Sequence, residues 1–456
     1  MPYDGPLESS SRPLRFGLLC LAAGLAGCAP GARVAPASEI PAIRSAYRAN
    51  PEDTETAQRL AASLAAADQC EEALDVAGSV PPTASLAWPV MIEGRCLEAG
   101  GDLDAAIAGY EGYLASYGGG DGAAQIRGRL LVAREQAAVS RVRGVDPTTL
   151  GPGGDDVVAV LPLEVIGSDS YGALGRGLAA QISSDLLLLD RFRMVERMEL
   201  QAIVDELELA RSPYADSTTT PAFGRLVQAG NLVTGTVQAP VGETVGLRAD
   251  VVTSTGELAQ TPSRTAPANQ LLILEKEVVF EIAGLLGYAV SQAERTRILE
   301  NGTQNLQAFL AYSEGLELSD QGLYGAAAAS FAEAQRIDPD FVEAQRMLET
   351  AVGAEAAGQG DNSLVQTSSE VASQVEEVAA GDAGGAPDAI DGLFTSTIND
   401  VAPTQGELAV GPTTDAPGSG TTGTVGTILN PSVPPPTPRR PVRIPVRIRI
   451  PGGGAP

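Results

Sequence analysis

The sequence predicts an α/β (α+β) central domain with a mixed sheet, flanked by all-α helical repeats and followed by a disordered C-terminal tail. Three observations support this fold class. An apolar run without charge, residues 157–161, is typical of a strand covered on both faces. Alanine-rich helical patterns precede and follow the segment that this strand begins. From residue 351 the composition changes to Gly, Ala, Ser, Thr and acidic residues, which favours disorder.

Strand and helix patterns alternate through residues 156–290, which we interpret as one domain. A strand at 157–161, a helix at 172–185 and a strand at 192–195 predict a parallel pair with a right-handed connection. A helix follows from Met198. The remaining predicted elements are a helix at 221–229, strands at 232–237, 247–252 and 258–264, and a closing helix at 271–286. The sheet therefore starts parallel and continues as an antiparallel meander.

Three stretches of this domain carry a family resemblance. They are Val160-Leu-Pro-Leu163, Phe192-Arg-Met-Val-Glu-Arg197 and residues 223–237, which read FGRLVQAGNLVTGTV. In this order they resemble the curli-secretion CsgG family and its flagellar (FlgO) and penicillin-binding-protein-activator relatives. The resemblance implies an envelope lipoprotein whose α/β domain works by binding proteins, sometimes by forming an export pore.

The pore function has its own sequence requirement. Membrane-spanning hairpins need about 9 to 11 residues per strand with alternating apolar side chains. The candidate insertions, residues 211–220 and 239–246, are too short and too polar. We therefore expect no channel.

The N-terminal region has the features of an export signal. Arg12 and Arg15 precede an apolar run at 16–26 that is too short to span a bilayer, which predicts a signal peptide over residues 1–27. Leu25-Ala-Gly-Cys28 resembles a bacterial lipobox and implies that Cys28 is lipidated. The alternative is an ordinary secretory signal with an unmodified cysteine.

The resemblance to lipoproteins also implies a location. Ala29, rather than aspartate, follows the cysteine, which in lipoproteins favours the outer membrane, and residues 28–37 would form a tether. Multiple acyl chains hold a protein durably at a membrane. We expect a protein anchored by lipid to the outer membrane on its periplasmic side.

Composition limits the chemistry. The formal net charge of -27 argues against nucleic acid as a partner. The chain has no histidine, and its single lysine is Lys276, so a histidine general base, a histidine-ligated metal and a Walker-type phosphate loop are excluded. We expect no metal, no cofactor and no enzymatic activity.

Two cysteines remain beyond the leader and the lipidation site. In an oxidising periplasm Cys70 and Cys96 could form a disulfide, which would contribute about 3 to 4 kcal/mol in the chain-entropy picture. Two free buried thiols are the alternative.

A degenerate repeat occurs in both helical regions, residues 38–143 and 300–350. Gly94, Ala106 and Tyr110 are twelve and four residues apart, and the same spacing recurs near the other end of the chain. The second copy comprises Gly315, Ala327 and Phe331, followed by Ala334 and Pro339. Small residues at such positions let paired helices approach while the aromatic ring fills the adjacent space. The pattern resembles tetratricopeptide repeats; a generic alanine-rich hairpin is the alternative.

Two segments lack the patterns of regular helices and strands. Residues 144–155 are rich in turn formers and are interpreted as a linker. Residues 351–456 are interpreted as a disordered tail, acidic at first, with a helix at 368–378, and then rich in proline and arginine.

The end of the tail is basic, and apolar residues alternate there mostly with arginines. Residues 416–456 carry a charge of +5 and the remainder -32, which together give -27. The arginines are Arg439, Arg440, Arg443, Arg447 and Arg449. A period of two over residues 442–450 suits a strand that docks on the sheet edge of a partner, or a segment that folds back on the acidic body. A basic, polyproline-like tail is the alternative.

Few residues of the central domain are candidates for chemistry. Glu196 and Arg197 stand where a helix starts, and we interpret them as capping and surface pairing. Asp155 and Asp156 form a lone acidic pair, which is weak as a divalent-cation site. A glycine-rich turn into a helix, Gly172, Gly175 and Gly177, resembles an anion site but is equally explained by close packing.

Two classes of function follow. The first is a non-enzymatic, protein-binding scaffold or assembly factor for an envelope or secretion system, whose partners are envelope proteins and the membrane that holds its lipid. The second is a regulatory tether that contacts peptidoglycan or a cell-wall synthase. Self-association into a homo-oligomer is left open.

Overall fold

The computed structural model describes residues 33–143, 145–167, 171–206, 220–241 and 244–381. The predicted signal peptide, Cys28 and the five tail arginines lie outside the described residues, as do most of residues 211–220. Their assignments stay predictions.

Helices precede the sheet in the described chain. They are α1 (Ile40–Ala49), α2 (Thr54–Ala66), α3 (Cys70–Gly78), α4 (Trp88–Ala99), α5 (Leu103–Tyr117) and α6 (Ala123–Val142). Asp53 and Asp102 precede α2 and α5, and their side chains accept hydrogen bonds from backbone amides of the first turn. Each carboxylate satisfies donors that the start of a helix leaves unpaired. Consecutive helices pack against one another along this series.

The central region alternates strands and helices. The elements are β1 (Gly154–Val160), β2 (Glu164–Ile166), α7 (Leu174–Leu187), β3 (Arg193–Met194), α8 (Arg197–Glu206), α9 (Thr220–Leu226), β4 (Ala229–Val241), β5 (Thr244–Thr253), β6 (Leu258–Gln260), β7 (Arg264–Pro267) and α10 (Leu271–Leu285). A 3-10 turn at Pro147–Thr149 precedes β1.

The strands form one mixed sheet. Its order is β3-β1-β4-β5-β6, with β2 also paired to β4 and β7 to β5. β1 is parallel to β3 and to β4, with Ala159 opposite Leu232, and β4 is antiparallel to β5, with Gly235 opposite Ala249. The structure confirms the predicted fold class: a mixed sheet in the middle of the chain with helices on both sides.

Both faces of the sheet are covered. Val158 and Val160 of β1 are buried against α7 and α10, whereas Ala159 and Leu161 are buried against α6, α8 and α9. Alternate side chains of one strand thus enter two cores. A strand in this position needs no polar face, which explains the uncharged run at 157–161.

Three details of the sheet differ from the sequence prediction. β2 was not predicted, because three residues are too few to show a period. The strand expected at 258–264 is divided into β6 and β7, and Pro262 lies between them, where proline cannot donate to a ladder. β4 is longer than the predicted 232–237 and begins directly after α9.

More helices follow the sheet. They are α11 (Gln292–Glu300), α12 (Leu306–Asp320), α13 (Tyr324–Ile337), α14 (Val342–Ala357) and α15 (Ser368–Ala380), with a 3-10 helix at Gly360–Val365. The boundary of the predicted disordered tail at residue 351 was therefore too early. Ala351 and Ala354 are buried in α14, and Val371 of α15 is buried against α13 and α14. Small side chains gave this stretch the composition of a linker, although they are what lets its helices pack closely.

The two helical regions form one continuous array. α6, before the sheet, packs against α14, after it, and their backbones approach most closely at Gly128 and Gly353. A Cβ added at either glycine would overlap backbone atoms of the other helix. Arg127 and Glu349 form an ion pair beside this crossing. The α/β domain is thus inserted between helices that are neighbours in space.

The segment after α14 makes a second set of contacts between the helices that precede the sheet and those that follow it. Leu364 is fully buried in the core that the first six helices form. Gln58 Nε2 donates to the Leu364 carbonyl at 2.9 Å, and Arg95 Nε donates to Asp361 Oδ1 at 2.8 Å. Arg129 of α6 donates to Ser363 Oγ at 2.7 Å. Residues 360–368 therefore connect the end of the described chain to its beginning.

The repeat residues occupy matching places in two helix pairs. Gly94 of α4 lies against the ring of Tyr110 of α5, and Gly315 of α12 lies against the ring of Phe331 of α13. Ala106, Ala327 and Ala334 are fully buried beside them, and Pro339 is exposed in the turn before α14. The tetratricopeptide assignment itself stays a prediction.

Cys70 and Cys96 are joined by a disulfide. Cys70 is the first residue of α3, Cys96 lies in the last turn of α4, and their Cα atoms are 5.6 Å apart. The bond links two helices of the array that are neighbours in sequence.

A charged cluster is buried where α7, α10 and the loop before α12 meet. Lys276 Nζ donates to Asp185 Oδ2 at 2.7 Å and to the Asn301 carbonyl at 2.9 Å. Asn301 Nδ2 and Gln181 Nε2 donate to Asp185 Oδ1 at 2.8 and 3.3 Å. Glu275 is fully buried beside them, 3.5 Å from Lys276 Nζ, and its oxygens have no hydrogen-bond partner among the described residues. One lysine thus faces two carboxyl groups.

We expect the substitution Gly128→Ala to lower the free energy of unfolding by about 1 to 3 kcal/mol, because the methyl group forces α6 and α14 apart. Urea denaturation measures the difference. Gly109→Ala in α5 is the matched control: no atom lies within 4 Å of its added Cβ, so it should stabilise the helix by up to about 1 kcal/mol. Equal effects of the two substitutions would contradict the close crossing.

We expect the stability of the protein to fall as the pH rises above about 4.5 in part because of Glu275. Burial, and then the charge of Asp185, raise the pKa of Glu275 well above its usual 4.5. The folded chain therefore keeps a proton that the unfolded chain has lost. Between pH 4.5 and the raised pKa of Glu275, this difference lowers the free energy of unfolding by about 1.4 kcal/mol for each pH unit.

The substitution Glu275→Gln tests this. It should match the wild type near pH 4 and be the more stable protein near pH 8, as measured by urea denaturation across this pH range. Glu277→Gln, on the same helix but half exposed, should retain the wild-type slope. A Glu275→Gln protein that follows the wild-type slope throughout would show that Glu275 is ionised in the fold.

Candidate binding groove

A groove of about 730 Å³ lies where the helical array meets the α/β domain. It is bordered by the end of α4 and the start of α5, by α6, by α8 and by the connection between α12 and α13. Its volume falls within the range of protein ligand sites, about 300 to 1,000 Å³. Polar and apolar surface line the groove in similar amounts, and its polar side chains include Gln136, Ser140, Gln201 and Gln321.

Three different parts of the chain place these side chains, and one of them is the connection between α12 and α13, which carries Gln321. α6 contributes Gln136 and Ser140, which are exposed on the side of the helix that does not pack on α14. α8 contributes Gln201, and its opposite side is buried through Leu200 and Ile203 against the sheet. The groove therefore exists only when the array and the inserted domain are held together.

Ion pairs fix α8 against the helices around it. Glu196 pairs with Arg134 of α6 at 3.1 Å, and Glu199 pairs with Arg141 of α6 at 3.2 Å. Arg197 pairs with Asp320, the last residue of α12. The start of α8 is thus attached to both halves of the helical array.

Asp320 is the centre of a buried charge cluster at the floor of the groove. Its carboxylate, only 4% exposed, also accepts from Arg176 Nε at 2.9 Å. Burial lowers the pKa of the Arg197 guanidinium to about 10, which still leaves it charged at neutral pH. The cluster joins α7, α8 and α12.

Two other carboxylates of the groove accept hydrogen bonds from tyrosines. Tyr110 donates to Glu98 Oε1 at 2.8 Å, and Tyr324 donates to Glu135 Oε1 at 3.4 Å. Burial, followed by the charge of Glu135, raises the pKa of Tyr324 to about 12. Both tyrosines therefore remain neutral donors at physiological pH.

The sequence analysis singled out Glu196, Arg197 and Tyr110, and the structure shows what each of them contacts. Glu196 pairs at the surface as expected, but Arg197 is largely buried and connects domains, which sequence reasoning missed. Its partner Asp320 is 123 residues away, and no local pattern relates the two. Tyr110 was predicted only as a packing residue, yet its hydroxyl reaches a groove carboxylate.

The remaining candidates lie outside the groove. Asp156 pairs with Arg193 at 2.8 Å, and Asp155 lies beside it in β1, so this pair is part of the strand's own surface. Gly175 lies against the Leu163 carbonyl and Gly177 against Ser313 of α12. These glycines serve close packing of α7. Within the described residues no group of three His, Cys, Asp or Glu side chains could hold a metal ion.

None of the described helices combines the length and the apolar character needed to span a bilayer. No curated protein matches the sequence. Residues 162–240 match the family model described as the curli production assembly/transport component CsgG. The matched segment runs from the end of β1 to β4 and includes α8 with its groove residues. The chain therefore carries a domain similar to CsgG, whose family is one of assembly and transport components.

Proposed function

We propose that the chain is a non-enzymatic, protein-binding scaffold for an envelope assembly or secretion system, anchored by lipid on Cys28 to the periplasmic side of the outer membrane. The match of residues 162–240 to an assembly/transport component supports an envelope assembly role. The lipobox-like Leu25-Ala-Gly-Cys28 supports the anchor.

The groove is the observation that carries the binding role. It combines side chains of α6, from the helical array, with side chains of α8, from the CsgG-like domain. A partner bound there would contact both parts at once. It would therefore bind only when the two parts are held together. The lack of histidine in the whole chain gives additional support to binding rather than catalysis.

Photocrosslinking in intact cells tests the binding role. A photoreactive residue at Gln136, exposed on α6 inside the groove, should capture a defined envelope protein, identified by mass spectrometry. The matched control is Gln345, an exposed glutamine on α14 outside the groove, from which the same adduct should be absent. Identical adducts from both positions, or none from either, would contradict the groove as the partner site. An adduct only with peptidoglycan would favour the regulatory tether instead.

The substitution Cys28→Ala tests the anchor. Without the modified cysteine we expect the protein to leave the outer-membrane fraction and to appear in the soluble periplasmic fraction, since one or more acyl chains provide the attachment. Immunoblots of separated fractions measure this. Ser10→Ala, a change within the leader that spares the lipobox, is the control and should stay in the membrane. A Cys28→Ala protein that fractionates like the wild type would contradict the lipid anchor.

A further inference from the structure

Residues 360–368, which we call the strap, are held on the helical array largely by polar contacts. Gln58 Nε2 donates to the main-chain carbonyls of Leu364 and Gln366 at 2.9 and 3.1 Å. Gln125 Nε2 also donates to the Gln366 carbonyl, at 3.1 Å. Contacts of this kind recognise a main chain whatever side chains it carries. Leu364 is the one apolar side chain of the strap that is fully buried.

The array surface beneath the strap is polar. Gln58 of α2 and Gln125 and Arg129 of α6 are all buried under it. Glutamine and arginine are mostly found at protein surfaces, so without the strap these side chains would face water at little cost. The contact between strap and array therefore has the character of an exchangeable peptide interface rather than of a hydrophobic core.

The strap covers half of a helix face whose other half lines the groove. Gln125 and Arg129 of α6 contact the strap. Gln136 and Ser140 of the same helix line the groove. With 3.6 residues per turn, these four positions fall within about 60° of one another around the helix axis. α4 also contributes side chains to both places. The strap thus occupies the continuation of the groove.

The strap satisfies the guanidinium of Arg129 only in part. Arg129 Nη2 donates to Ser363 Oγ at 2.7 Å and to the Gly360 carbonyl at 3.4 Å. Its Nε is buried and has no hydrogen-bond partner among the described residues. Nε and Nη2 present their donors side by side, an arrangement that a carboxylate fills with two hydrogen bonds. An aspartate or glutamate in place of the serine would therefore bind Arg129 more strongly.

A second arginine already holds a carboxylate of the strap. Arg95 Nε donates to Asp361 Oδ1 at 2.8 Å, and this hydrogen bond is the main cause of the raised pKa of Arg95. Asp68 lies 4.0 Å from the same guanidinium but is largely exposed. The array thus presents one arginine paired with a carboxylate, one paired with a hydroxyl, and a buried site for a leucine side chain.

We propose that the strap is an internal ligand, and that its site on α2, α4 and α6 accepts in exchange a partner segment that carries an acidic residue for each arginine and a leucine at the place of Leu364. This inference rests on the proposed function, because it names the chemistry and the control of partner binding beside the groove. The strap has the advantage of a high effective concentration. The second carboxylate is what allows a partner segment to displace it.

Three labelled peptides test the proposal. The first has the sequence of residues 360–368, the second carries Ser363→Asp, and the third carries both Ser363→Asp and Leu364→Ala. Fluorescence anisotropy with the detergent-solubilised, full-length protein gives the dissociation constants at about 0.15 M salt, which screens the negative charge of distant surfaces. We expect the second peptide to bind at least ten-fold more tightly than either of the others, a difference of about 1.4 kcal/mol.

Opening the strap should expose the site. Asp361→Asn combined with Leu364→Ala removes two contacts of the strap and leaves the array side chains unchanged. This variant should bind the Ser363→Asp peptide at least ten-fold more tightly than the wild type does. Leu299→Ala combined with Asp340→Asn makes the same chemical changes at exposed positions outside the strap, and should bind the peptide as the wild type does. Melting curves report whether both variants fold.

Hydrogen exchange of the wild type provides a measurement that needs no variant. With the Ser363→Asp peptide present well above its dissociation constant, the backbone amides of the strap should exchange faster, because the displaced strap is exposed to water. The amides of α14, which pack on α6 through Gly353, should exchange as they do without the peptide. Strap amides whose exchange stays unchanged would contradict the displacement.

The outcomes separate this inference from the proposed function. Equal affinities for the first and second peptides, or equal affinities of the two double variants, would overturn the exchange. If a partner is still crosslinked from Gln136 in that case, the groove remains a partner site, and only the role of the strap is wrong. A peptide that displaces the strap while Gln136 gives no adduct would support the strap site and contradict the groove.

Discussion

The close crossing of α6 and α14 is the constraint on which the rest of the structure depends. These helices are more than two hundred residues apart in sequence, and they meet because Gly128 and Gly353 leave room for backbone to touch backbone. A side chain at this point would overlap backbone atoms of the opposite helix and force the two helices apart. With the glycines, they form one array, and both ends of the α/β domain are fixed. Leu364 and its neighbours strengthen this closure by packing into the first helices.

The groove is a consequence of that closure. Inserting a domain into a helical array creates a junction at which surfaces of both parts face each other without filling the space between them. The ion pairs of Glu196, Arg197 and Glu199 hold α8 at this junction. Because they link the CsgG-like segment to helices from both sides of the array, the groove has fixed walls. Its shape is therefore set by the packing of these helices.

Two clusters of buried charged side chains differ in how completely their charges are paired. Asp320 pairs with Arg176 and Arg197, and Arg176 also pairs with Glu317, so the connection between α7, α8 and α12 contains two positive and two negative groups. In the cluster at α7 and α10, Lys276 donates its hydrogen bond to Asp185 and leaves the Glu275 oxygens without one, so burial favours the protonated form of Glu275. An arginine can serve two carboxylate oxygens in a fixed geometry, whereas a single lysine cannot neutralise two acids. The only lysine of the chain is therefore a structural residue rather than a surface one.

The sequence by itself determined the elements and much of their order. The uncharged run of β1 and the glycine-to-aromatic spacing of the helix pairs are local patterns, set by burial on one or two faces. So is the four-residue spacing of apolar side chains in α7, which are Leu174, Leu178, Ile182 and Leu186. Only the tertiary structure decided that the two helical regions are one array, that residues 351–381 belong to it and that Arg197 meets Asp320. Small side chains such as those of Gly128 and Gly353 carry no hydrophobic signal, and the groove draws on residues from Glu98 to Tyr324. Their proximity follows from backbone contact between distant helices, which no local periodicity encodes.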